Sequence, residues 1–85
     1  MRRRVLLQKI ASGAFQNVAF RDMLELMEGL GFRLLRVKGS HHIFTHSEIS
    51  EQVNLQEVGG QAKAYQIRQV IRLVERYNLR LEDDL

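Results

Sequence analysis

The residues best suited to chemistry are the two histidines of Lys38-Gly39-Ser40-His41-His42. An imidazole titrates close to neutral pH, so a positioned one takes or gives a proton without a metal or cofactor. Gly-Ser is turn material, and a turn at Gly39-Ser40 places both rings at the start of a strand from His41 to His46. Alternate side chains of a strand point to opposite faces, which groups His41 with Ile43 and Thr45, and His42 with Phe44 and His46. His42 and His46 would then lie about 13 Å apart, too far to hold one ion. With no cysteine to complete a thiolate site, neither a metal nor a cofactor is expected.

For a single imidazole two readings stand side by side: a polar residue packed at a hairpin shoulder, or a general acid or base acting on the ribose and phosphate of RNA. Cations that could hold a phosphate lie just upstream, at Arg36 and Lys38, with Lys63 and Arg68 further along. Each of these is equally compatible with an ordinary solvated face. Phe32, Phe44 and Tyr65 have the shape of base-stacking platforms, but Phe32 and Phe44 are better placed as core. Gly59-Gly60 could turn backbone amides toward a phosphate, yet no Gly-Lys-Ser/Thr follows to make a P-loop. Ser40 and His41 are adjacent and face apart on a strand, which excludes a hydrolytic triad built on that pair.

The elements that must position these groups follow from periodicity. Leu7, Ile10 and Ala11 suggest a short helix over about Arg3 to Ala11, ended at Ser12-Gly13. With Asn17 as N-cap, Phe20, Met23, Leu24, Met27 and Leu30 form a helical stripe that stops at Gly31. Phe32 to Val37 is apolar on both parities and reads as a first strand at the centre of a sheet or between layers. A hairpin at Gly39-Ser40 leads into His41 to His46. A polar loop over Ser47 to Glu51 then precedes a third strand, Gln52 to Gln56, that alternates apolar and polar residues. After a flexible Val58-Gly59-Gly60-Gln61 connection, Ile67, Val70, Ile71, Val74 and Tyr77 mark a final helix from about Ala62 or Lys63 to Tyr77. The expected fold is α+β, in the order (α)-α-β-β-β-α: a three-stranded antiparallel sheet with helices on one face and the other face open to a partner.

Composition sets the outer bounds. The 85 residues suffice for one domain with one modest core, and 45% hydrophobic with 27% charged residues describes an ordinary folded chain. Absence of cysteine excludes a disulfide framework and fits a reducing cytoplasmic compartment. The opening Met1-Arg2-Arg3-Arg4 is followed by only a short apolar run before Gln8 and Lys9, so no secretory signal or membrane span is expected. Net charge is +3, and the acids Glu82-Asp83-Asp84 at the C-terminus leave the body of the chain more basic, as a polyanion-binding protein would be.

At Gly31-Phe32, Arg36, Lys38-Gly39-Ser40-His41-His42-Ile43-Phe44 and His46, the sequence resembles the HicA family of type II toxins, also called YcfA-like proteins. The resemblance spans roughly Phe20 to Tyr77. It divides the single domain 1–85 into an N-terminal extension (1–16), a HicA-like core (17–77) and an acidic tail (78–85). It implies a fold similar to double-stranded-RNA-binding domains, and a metal-independent mRNA interferase neutralised by a HicB-type antitoxin. It also implies that His41 is the catalytic residue, with His42 the alternate and Gly39 and Ser40 forming the turn that aims it.

Many members follow the third strand with a Pro-His segment and a basic loop. This chain instead has Asn54-Leu55-Gln56, then Gly60-Gln61-Ala62-Lys63 and Tyr65-Gln66, and looks like a variant branch. Asn54, Gln56, Lys63 and Gln66 would cluster near one end of the sheet, suited to lining an RNA path or docking a protein. The reading that results is a cytoplasmic endoribonuclease toxin with His41 as its acid-base group and Arg36, Lys38 and Lys63 on phosphate. Its rivals are a non-catalytic RNA-binding module and a protein-interaction domain that docks a partner on its sheet.

Overall fold

The computed structural model describes residues 1–82, so Asp83 and Asp84 of the expected acidic tail lie outside the described residues. Its element order is α1 (Arg3–Ala11), α2 (Phe20–Gly29), β1 (Arg33–Lys38), β2 (His41–His46), β3 (Ile49–Val58), β4 (Gln61–Ala62) and α3 (Ala64–Tyr77). The four strands form one antiparallel sheet in the order β1-β2-β3-β4. The α+β class and the helix-strand order therefore match expectation, while the strand count is four and not three.

The extra strand arises at the expected flexible connection. Gly59 and Gly60 both take positive φ, 58° and 78°, which closes a two-residue hairpin that most residues would strain to form. Gln61 and Ala62 then pair with Val58 and Glu57. On its far side β4 meets the chain entering α2: the Ala62 N–H donates to the Val18 carbonyl (3.0 Å) and the Phe20 N–H to the Gly60 carbonyl (2.8 Å). That pairing holds Ala19 extended (φ −60°, ψ 134°), so α2 begins at Phe20 behind it. The expected cap at Asn17 is not formed, and Asn17 instead sits in the left-handed region at φ 59°.

Strand β1 departs most from the sequence reading. It is an edge strand with every residue exposed; Leu34, Leu35 and Val37 are each about half exposed. The register jumps from Leu34↔Phe44 to Arg36↔Ile43, leaving Leu35 as the extra residue of a β-bulge. Across that bulge the side-chain parity shifts by one, so apolar residues on both parities signal a bulged edge and not a doubly covered strand. The polar loop is also shorter than expected. Ser47-Glu48 alone connects His46 to Ile49, and β3 begins at the buried Ile49.

All three helices share one core with one face of the sheet. Phe44, Val53 and Leu55 meet Met23, Leu26, Met27, Ile67 and Val70 there, and burying each such side chain stabilises the fold by about 1.5–3 kcal/mol. Phe32 (5% exposed) and Phe44 (4%) belong to this core and are not free to stack on bases. Helix α1 contributes Leu6 and Ile10, both buried; of the stripe expected from its sequence Leu7 is half-buried and Ala11 exposed, because the contact uses an i, i+4 pair one position earlier. Leu79 and Leu81, beyond α3, are core residues as well.

Candidate functional site

Strand parity sorts the three histidines. His42, Phe44 and His46 face the helices, together with Leu55 and Val53 opposite them on β3. The His42 ring packs edge-on against Phe20 (centroids 4.7 Å apart), with Nδ1 3.4 Å from the Ser40 carbonyl oxygen. His46 is buried. Its Nε2–H donates to the Leu30 carbonyl (3.0 Å), its Nδ1 accepts from the Glu48 N–H (3.1 Å), and its ring stands edge-on to Phe32. Both nitrogens of His46 are thus consumed by the fold. A cleft of about 220 Å³ lies at that end, bordered by His46, Tyr77 and Arg80, and offers no free imidazole nitrogen.

His41 occupies the opposite sheet face, half-buried, at the start of β2. The turn that delivers it is the two-residue Gly39-Ser40 connection between the paired Lys38 and His41. Gly39 takes φ +60°, the conformation a two-residue hairpin asks of its first residue and that glycine adopts at least cost. The Ser40 carbonyl then accepts the Glu57 N–H (3.0 Å), fastening the turn to β3.

Around His41 the register assembles the residues singled out from the sequence. Lys38 is its direct partner on β1, and Arg36 lies opposite Ile43 on the same face; Arg33, opposite Thr45, extends this basic row. On β3 the direct partner is Gln56, and Asn54 lies diagonally across. His41 Nδ1 is 3.0 Å from Nδ2 and 3.2 Å from Oδ1 of Asn54, whereas Nε2 has no hydrogen bond among the described residues. Carried one place past β4, the register brings Lys63 level with Gln56, two strands from His41 and so about 10 Å away. Its ammonium lies over the Tyr65 ring at 5.8 Å. Arg68 is not part of this face; its guanidinium packs over Phe15 in the helical layer (5.4 Å).

Gln66 has a different role from the one its sequence position suggested. It is 2% exposed, and its Oε1 accepts the Gln56 N–H at 2.6 Å, while its Nε2 donates to the Tyr65 hydroxyl at 3.4 Å. The reason lies in the end of β4. Lys63, next in register, has its carbonyl committed to the Gln66 and Ile67 N–H groups (3.1 Å each), so the side chain of Gln66 supplies the acceptor that Gln56 lacks. Gln66→Leu is expected to leave that N–H unpaired and cost about 1–3 kcal/mol in urea unfolding, with accelerated hydrogen exchange at Gln56. An unchanged midpoint would show that water serves the amide equally well.

The helix ending before Phe32, the Gly39-Ser40 turn and the strand opening on two histidines all lie within residues 20–75, the segment matched by a family model described as HicA toxin of bacterial toxin-antitoxin, more than half the chain. The chain belongs to the HicA toxin family. No curated protein and no solved structure matches it. As a HicA-family chain it is the toxin member of a toxin-antitoxin pair, which implies an antitoxin as protein partner. The HicA match begins at Phe20, the first residue of α2, so α1 lies outside the matched segment although it contributes to the same core. Among the described residues no helix is long and apolar enough to cross a membrane.

Proposed function

We propose that the chain is an endoribonuclease toxin, an mRNA interferase that needs no metal, with His41 as its acid-base group. The observation that carries this reading is that, of the three histidines, His41 is on the helix-free face of the sheet, with no hydrogen bond at Nε2 among the described residues and with Arg36 and Lys38 on the adjoining strand. The α2-β1-β2-β3-α3 order supports a double-stranded-RNA-binding-domain type of fold, whose sheet and basic edge here meet the nucleic acid. In the reaction, His41 Nε2 removes the proton of a ribose 2′-OH, and the 2′-oxygen attacks the adjacent phosphorus. The bond from phosphorus to the 5′-oxygen breaks, and the imidazolium returns the proton to that departing oxygen. The products are a 2′,3′-cyclic phosphate and a 5′-hydroxyl. Arg36 and Lys38, with Lys63 beyond Gln56, hold phosphates along the strand.

The test is incubation of the purified protein with RNA in the presence of chelator. Fragments with cyclic-phosphate and 5′-hydroxyl ends are expected, and intact RNA at excess protein would overturn the proposal. Arg36→Ala and Lys38→Ala are each expected to weaken RNA binding and to flatten the plot of log affinity against log salt by about 0.7 for a single-stranded ligand. Fluorescence titration across salt concentrations measures both. An unchanged slope would remove that residue from the phosphate contacts.

The free β1 edge favours protein docking as the second reading, since Leu34, Leu35 and Val37 are each about half exposed there. We assign that role to a HicB-type antitoxin in the cytoplasm, whose binding beside Lys38 would also cover His41. Tight antitoxin binding by a protein that leaves RNA intact would make docking the whole function.

A further inference from the structure

Asn54 belongs to the unusual Asn54-Leu55-Gln56 segment for which the family resemblance supplies no role. From the geometry we infer that Asn54 is the positioning residue of His41: its side-chain amide holds Nδ1, fixes the ring on the open face and leaves Nε2 as the working nitrogen. The inference rests on the reading of His41 as the acid-base group.

The contact is cross-strand and local. Asn54 is half-buried on β3, diagonal to His41, with both amide heteroatoms within 3.2 Å of Nδ1. A base working through Nε2 must, in the neutral ring, carry its proton on Nδ1. The acceptor for that proton is Oδ1 at 3.2 Å, and it is this oxygen, not the amide nitrogen at 3.0 Å, that must engage Nδ1. When Nε2 gains a proton the same Nδ1–H···Oδ1 bond persists, so the ring need not turn between its two roles. Without the amide, an imidazole on an open face is free to rotate about χ1 and χ2 and to exchange tautomers.

The choice of amide over carboxylate is chemically consequential. The charged groups toward His41 on the neighbouring strands are Lys38, Arg36 and, farther along, Arg33 on β1, with Lys63 just past β4; Glu57 on β3 has the opposite strand parity. An aspartate at position 54 would add an anion against Nδ1 and favour the imidazolium. Asparagine supplies the same acceptor without adding a charge beside the ring.

The test uses the full chain and the variants Asn54→Ala and Asn54→Asp, read by His41 side-chain ¹⁵N shifts across pH and by the pH dependence of RNA cleavage. In the wild type the neutral ring is expected to carry its proton on Nδ1. Asn54→Ala is expected to give mixed tautomers and to lower kcat about 10- to 100-fold, with KM within a few-fold. Asn54→Asp is expected to restore the Nδ1–H tautomer and to move both the ring titration and the rising limb of the rate profile to higher pH. A positioning role is overturned if His41 shows the same ¹⁵N shifts in the wild type and Asn54→Ala. It is equally overturned if Asn54→Asp leaves the titration where it was. Failure of the nuclease reading is separately visible: RNA would survive the wild type, while the ¹⁵N arm would still decide whether Asn54 holds the ring.

Discussion

His41→Ala is expected to lower RNA cleavage by about 10²- to 10⁴-fold, the usual worth of a positioned acid-base group, and to leave the folded protein essentially as stable as before. The second half of that expectation makes the first interpretable. His41 is half-buried on the open face, and among the described residues its only side-chain hydrogen bonds are to Asn54. Its removal opens no hole in the core, and changes at such positions usually fall within about 0.5 kcal/mol. His42→Ala supplies the contrast. That ring packs against Phe20 beneath the helices, so its loss is expected to cost stability of roughly 1 kcal/mol or more, with cleavage much less affected once the protein is folded. Initial rates on a defined RNA, set beside urea midpoints for both variants, separate the two outcomes. Equal rates for wild type and His41→Ala would remove His41 from the chemistry. A reversed pattern, with His42→Ala inactive but stable, would transfer the role to the neighbouring ring.

The contrast between adjacent histidines was legible in the sequence because a strand has a period of two, and one buried residue on either parity then fixes both faces. Phe44 did so here. The stripe of α3 was legible for a similar reason: Ile67, Val70 and Ile71 repeat at the helical period and are all buried. What escaped was information held in pairing and not in period. Gln61-Ala62 is too short to show alternation, and only its register with Glu57 and Val58 makes it a strand. In β1 the bulge at Leu35 moves apolar side chains across parities, so an exposed edge reads as a buried centre. Asn54 is thirteen residues from His41 and meets it only through the register of β2 with β3. Asn54 is a regular polar position of the alternating strand, which marks the face it occupies and not the partner it meets. Pairing with β4 also explains why α2 starts three residues after the cap its sequence offered at Asn17, since the backbone of Val18 is already bonded to Ala62 of β4 and that of Phe20 to Gly60 just before it.

Removal of residues 1–13 is expected to unfold the chain, although the family match begins only at Phe20. We propose that the N-terminal extension is a structural part of one domain. Ile10 is 0% and Leu6 1% exposed, and α1 packs against both α2 and α3. The approach to α2 is close enough that a methyl group at Gly29 would lie 2.8 Å from Arg3 Cδ and 3.1 Å from Leu81 Cδ2. Glycine at that helix position therefore admits both the N-terminal helix and the segment after α3. Ile10→Ala alone is expected to cost about 2–5 kcal/mol, as large-to-small changes at fully buried sites do. A domain of this size draws on a total near the lower end of the usual 5–15 kcal/mol. Losing Leu6 and Ile10 together, and exposing the faces of α2 and α3 that they cover, exceeds that margin. Circular dichroism with urea titration measures both proteins. A truncated chain that unfolds cooperatively at the wild-type midpoint would show that α2, the sheet and α3 suffice. The expected outcome, loss of the transition in the truncation and a lowered midpoint in Ile10→Ala, makes α1 a condition for holding β2 and β3 in the register that brings Asn54 to His41.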